Sequence, residues 1–178
     1  MAKTCLNKLP GNILTNCEVP VHGISEIYLM HAEDISIDID PGGTISSVSF
    51  ATGAKSYRIE GYKQNIQVTT ATRSMDASNK LDISVMFKLP TVLSGAVVNT
   101  GTIRSILTGK FCVLVITGSR ASYFVGDVSP LECSGLEYDS NANGQLATVT
   151  LTVPEGSSGN YLRIIRSAAV TSIIEKSV

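Results

Sequence analysis

The chain has 178 residues, 43% of them hydrophobic and 16% charged, with a net charge of −1 and a pI near 6.1. A single domain of this length buries a full core without staples, and the composition is not that of a disordered chain. The lack of any basic excess or Lys/Arg run argues against sequence-independent nucleic-acid binding, the absence of a run of about 18 apolar residues against a membrane-spanning helix, and the polar residues after Met1-Ala2-Lys3-Thr4-Cys5 against a secretory leader.

Residues 1–23 carry Pro10-Gly11, Asn16, Pro20 and Gly23 and read as an extended arm. The first expected strand is the apolar stretch Ile24 to Met30. Ile35-Ser36-Ile37-Asp38-Ile39-Asp40 alternates strictly, as a half-buried strand does. Pro41-Gly42-Gly43 then turns the chain into a returning strand, Thr44 to Phe50. Lys55 to Glu60 follows a break at Thr52-Gly53 and places Tyr57 and Ile59 on one face. Gln64 to Thr72, with Ile66 and Val68 inward, and Lys80 to Leu89 are expected to pair as a hairpin across residues 75–79. In the second of these strands Leu81, Ile83, Val85, Phe87 and Leu89 share one face, and Asp82, Ser84, Met86 and Lys88 the other.

Pro90 ends that run. Residues 99–108 are the one good helix candidate: Asn99 or Thr100 caps it, Ile103, Ile106 and Leu107 form its apolar stripe, and Gly109 stops it. Phe111 to Thr117 is a continuous apolar run and hence a buried strand, turned by Gly118-Ser119 into Ala121 to Val125. Val128 to Tyr138 is a strand interrupted by Pro130 and Gly135. After a loop over 139–144, Gln145 to Val153 is rich in Thr and Val, although Leu146, Val149 and Leu151 do not share a phase. Residues 154–160 read as a flexible loop, and Tyr161 to Ile174 as a last strand plus a tail. About nine or ten short strands and one short helix predict a mostly-β fold: an antiparallel β-barrel or sandwich with extended N- and C-terminal arms. The expected organisation is one domain over 1–178, with an arm at 1–23, a barrel core at 24–153 and a tail at 154–178.

The groups that carry chemistry are few. His22 and His31 are the only histidines, and no Ser, Cys or Asp is arranged around either in a catalytic pattern. Glu33, Asp34, Asp38 and Asp40 cluster around one strand, and Asp38 and Asp40, two apart, share a face. Paired carboxylates can hold a divalent ion or act as acid and base, but a solvated face opposite Ile35, Ile37 and Ile39 is the better reading. Asp139-Ser140-Asn141-Ala142-Asn143-Gly144 opens like a calcium loop, yet the position that needs a bidentate glutamate is Thr150, so Asn143-Gly144 reads as a hairpin turn. Of the four cysteines, Cys112 sits in the Phe111–Ile116 run as a small core residue. Cys5 and Cys17 would bridge the arm only in an oxidising compartment, and Cys133 completes the set; free thiols are the expectation in cytoplasm. No catalytic, cofactor-binding or metal-binding residues are assigned, and no enzyme activity, cofactor or small-molecule substrate is expected.

Charged residues fall well below the roughly 25% usual in soluble domains, and Ser and Thr fill the gap. Such a surface is easier to desolvate than one of Lys and Glu, which favours protein–protein contact. The layout from about Ser56 to Val153 resembles the phage tail-tube family and the related tube protein of type VI secretion. The features that carry it are Tyr57-Arg58-Ile59-Glu60-Gly61-Tyr62, the helix at 99–108, Phe124-Val125-Gly126, Ser134-Gly135-Leu136-Glu137 and the Asn143-Gly144 hairpin. The opening, with Cys5, Asn16-Cys17 and Ala32-Glu33-Asp34-Ile35, is similar to virion proteins of phages of Bacteroides-like hosts.

That resemblance implies a non-enzymatic virion structural protein, assembled in the host cytoplasm. It would form hexameric rings stacked into a tail tube, a conduit for DNA, with itself and neighbouring virion proteins as partners. Residues 1–23, 50–62 and 154–178 are the expected contacts between rings. The alternative is a head-decoration, fibre or surface-attachment β-sandwich that works as a binding module.

Overall fold

A computed structural model describes residues 5–6, 14–15, 23–60, 66–75, 78–90, 100–138, 146–159 and 162–177. In chain order the strands begin with β1 (Cys5–Leu6), β2 (Leu14–Thr15), β3 (Ile24–His31), β4 (Ile35–Ile39), β5 (Ile45–Phe50) and β6 (Tyr57–Glu60). A 3-10 turn, Ala32–Asp34, joins β3 to β4. The long hairpin is β7 (Ile66–Met75) and β8 (Ser78–Pro90), followed by helix α1 (Thr100–Thr108). Then come β9 (Lys110–Thr117), β10 (Ser122–Val125), β11 (Leu131–Tyr138), β12 (Leu146–Thr152), β13 (Arg163–Ile164) and helix α2 (Ser167–Glu175).

The mostly-β antiparallel expectation holds, but the sheet is not closed into a barrel. Its path runs β13-β10-β9-β11-β12-β8-β7, with β3 on the other side of β9 and β6 beyond β3. Val113 to Ile116 of β9 pair with β10, and Lys110 and Phe111 pair with β11. β10 and β11 are therefore successive stretches of one line along β9, separated by a corner at residues 126–130. Gly126 makes the corner at φ +92°, where a β-carbon would lie 2.9 Å from the Phe111 carbonyl oxygen. Beyond the corner β11 leaves β9 and starts a second wall, β11-β12-β8-β7, a strand switching sheets at a bend. Another irregularity in register follows between Cys133 and Gly135.

The two walls enclose the first core. Ile27, Leu29, Val113 and Val115 face Ile83, Val85, Phe87, Val149 and Leu151, with Ile106 of α1 buried against them. The period-two face predicted for β8 is thus the core face at Ile83, Val85 and Phe87. In β12 the shared phase is Ala147, Val149 and Leu151, continued by Val153 just after the strand, all buried; the small Ala147 hid it in the sequence. A second core lies on the opposite face of β3 and β9. There Tyr28, Met30, Cys112, Leu114 and Phe124 pack against Ile45 and Val48 of the β4–β5 hairpin and against Ile165, Ala169 and Ile173. Burial on both faces explains the unbroken apolar run in β9, and each large side chain fully buried there contributes about 1.5–3 kcal/mol.

Three expectations are corrected. Among the described residues there are two α-helices where one was expected: the stretch read as a strand plus a tail over Tyr161 to Ile174 holds, from residue 163, the short β13 and then α2. Ile165, Ala169 and Ile173, four apart, put one face of this segment onto the second core. The C-terminal tail is therefore no extended arm. Residues 154–159, within the expected loop, are turn and irregular backbone, and the Gly159 N–H donates to the Leu81 carbonyl at 2.9 Å. Leu107, placed in the apolar stripe of α1, is 50% exposed, whereas Ile106 is buried. Ile39, expected inward with Ile35 and Ile37, is exposed at the end of β4, where the register with β5 shifts. Within residues 1–22 the structure describes only β1 and β2, which pair with each other antiparallel.

Candidate interaction site

The acidic residues that clustered in the sequence are dispersed to separate tasks. Glu33 and Asp34 lie in the 3-10 turn, where the Asp34 carbonyl accepts the Ala51 N–H at 2.8 Å. Asp38 accepts from the Ser47 hydroxyl at 2.6 Å. Asp40 accepts the Thr44 N–H at 2.9 Å through one oxygen and the Arg166 guanidinium at 2.7 Å through the other. The Thr44 N–H, then Arg166, hold its carboxyl below the usual carboxylate range. Among the described residues no three His, Cys, Asp or Glu side chains converge as a metal site would require.

Cys112 is buried and its thiol donates to the Gly126 carbonyl at 3.2 Å. Burial, then the Asp127 charge, pushes the thiol up to about 12, so it is an inert core group. Cys133 is half-buried and raised by the same desolvation. Both are free thiols. His22, Cys17, any Cys5–Cys17 bridge and the 139–144 loop lie outside the described residues.

His31 ends β3 with its ring 4.8 Å from that of Phe111 and edge-on to Tyr57 at 6.2 Å. It stands in the wall of a cleft of about 350 Å³ lined by Leu29, Tyr57, Ile59, Leu89, Ile106 and Phe111, with Ser105 and the Tyr57 hydroxyl as further polar groups. The predicted common face of Tyr57 and Ile59 opens here. Among the described residues the lining is mostly apolar, with the imidazole and two hydroxyls as its polar groups.

The strand rims are more informative. A bare edge offers unpaired N–H and C=O groups to any extended chain, and proteins blunt such edges with charge, shortness or a covering element. β6 is four residues long and carries Arg58, which donates to Glu26 at 2.6 Å and lies 3.3 Å from Glu60. β13 has two residues. β4 is five residues long and carries Asp38, and β5 is covered on its other side by the C-terminal segment, through the Ile45–Ile165 bridge and the Arg166 N–H on the Ile45 carbonyl. Past Glu132, β11 has lost β9, and α1, which leads straight into β9, packs beside it.

β7 is the least protected of the described rims: its one charge is Arg73, near the hairpin turn, and β3 approaches it without pairing. It is ten residues long and, among the described residues, pairs only with β8. From Ile66 to Thr72 it contains no charge and no proline. Ile66 is buried and Val68 half-buried, while Gln67 and Thr69 to Thr72 are exposed. The sequence predicted the hairpin but not which of its strands forms the rim, because that depends on where β12 docks. No family model matches this chain, and no curated protein or solved structure is significantly similar to it.

Proposed function

We propose that the protein is a non-enzymatic structural subunit that self-assembles into rings or a tube of a phage tail, a conduit for DNA in the virion. The observation that supports self-association is the rim of β7: seven consecutive uncharged residues, five of them β-branched, on an edge that among the described residues has no partner strand, while the other described rims are short, charged or covered. An edge of that kind is an aggregation hazard in a free monomer and an asset in a subunit whose neighbour pairs it. The tail assignment rests on the resemblance in layout from Ser56 to Val153. The low charge of the surface supports large contact areas between subunits.

Negative-stain electron microscopy of the purified protein tests the reading, with rings or tubes expected. The double substitution Thr69→Lys/Thr70→Lys installs the charge that edge strands ordinarily carry. It is expected to abolish the assemblies while circular dichroism and thermal unfolding stay those of a folded domain. A parent protein that remains monomeric at high concentration, with no particle in the images, would overturn the proposal.

A further inference from the structure

We infer that the strand which completes the rim of β7 is β7 of a second copy, paired antiparallel about a twofold axis through Thr69. The inference rests on the self-assembly reading and specifies its contact. Water can hydrogen-bond an exposed strand edge, but the edge loses its hazard of adventitious pairing only when another strand with unpaired backbone groups occupies it. Among the described residues of a second copy the same survey of rims applies: β1, β2 and β13 have two residues each, β6 is short and ion-paired, β4 is short and carries Asp38, β5 is covered by the C-terminal segment, and α1 stands beside β11. The rim of β7 therefore meets its like.

The register follows from symmetry. A twofold axis that relates two antiparallel strands of one sheet stands perpendicular to that sheet, so each side chain keeps its face. Opposed residues must share a face, which restricts the pairing to registers in which one residue opposes itself. Centred on Thr69, the uncharged run spans itself completely: Thr69 opposes Thr69, Val68 opposes Thr70, Gln67 opposes Ala71 and Ile66 opposes Thr72. Arg73, the first charged position of the strand, then falls outside the paired run and faces no like charge. Thr–Thr and Val–Thr opposition is favourable between antiparallel strands. Such a contact is isologous and closes at two copies, so growth of a ring uses other surfaces of the dimer.

Crosslinking through one introduced cysteine at a time reads this geometry against the background of the four native cysteines. Opposed β-carbons lie about 5 Å apart, within reach of a disulfide. Thr69→Cys is expected to give a covalent dimer on mild oxidation, well above the parent protein with its native thiols. Gln67→Cys alone is expected not to, since the two copies of position 67 stand about 14 Å apart along the strands. A mixture of Gln67→Cys and Ala71→Cys is expected to crosslink. Each variant is imaged by electron microscopy in parallel. Particles that assemble while Thr69→Cys crosslinks no more than the parent would overturn the twofold pairing and leave self-assembly standing. Thr69-linked dimers in a protein that builds no ring would sustain the pairing and overturn the tail reading.

Discussion

Arg163 and Asp127 show how much one buried contact weighs. Their side chains are 15% and 2% exposed and meet at 2.6 Å, and the same guanidinium donates to the Gly43 carbonyl at 2.6 Å. One residue thus ties β13, the corner after β10 and the turn after β4. Arg163→Ala leaves the Asp127 carboxylate buried without its partner, so a loss of about 3–5 kcal/mol is expected in urea unfolding. Arg166 and Asp40 lie nearer solvent and give a pH signature instead. Asp40 titrates lower in the folded chain than unfolded, so its contribution is present above its unfolded value, about pH 4, and is lost as pH falls through the lower folded value. The stability gap between the parent and Asp40→Asn is expected to be constant from pH 5 to pH 7 and to shrink below about pH 4, measured by urea unfolding across that range. Neither pair was legible in the sequence, where the partners stand 36 and 126 positions apart.

Among the elements, the C-terminal segment separates local from tertiary logic. Its β-branched residues argue for a strand, and residues 163–164 do pair with Phe124 and Tyr123 of β10. From Ser167 the spacing of apolar residues by four prevails, because a helix can bury Ala169 and Ile173 on the second core while Ser172 donates to the Val48 carbonyl. Ser56, fully buried, donates to the Ile173 carbonyl at 2.7 Å and closes the far end. Ile173→Ala, at a position with 0% exposure, is expected to cost about 2–5 kcal/mol in denaturant unfolding. The exposed neighbour substitution Ile174→Ala is expected to stay within about 0.5–1 kcal/mol, which distinguishes the helix face from general sensitivity of the tail.

For the whole molecule, the open sheet is the feature that bears on function. Two walls joined at the Gly126 corner bury one core between them, and the β4–β5 hairpin with α2 covers the other side, yet β7 is left at the rim. If a second chain pairs that rim, folding is linked to association by mass action. The melting temperature of the parent is expected to rise with protein concentration, by a few degrees per tenfold step at most, and that of Thr69→Lys/Thr70→Lys to stay constant. Differential scanning calorimetry over a concentration series checks it.

By itself the sequence determined the identity of most strands and the position of α1. Period-two and period-four burial, Gly and Pro punctuation and β-branched content are local, and the chain reports them without reference to neighbours. β8, β9 and the hairpin of β7 with β8 were legible for that reason. Tertiary structure alone decided which faces are buried twice, that 167–175 is helical, that the acidic residues serve separate turns and ion pairs, and which strand forms the bare rim. Those outcomes depend on what packs or pairs from distant parts of the chain: β12 on β8, α2 on β5, α1 beside β11. A strand looks the same in sequence whether one of its backbone edges is paired or both are, since hydrogen-bonding partners leave no trace in side-chain periodicity.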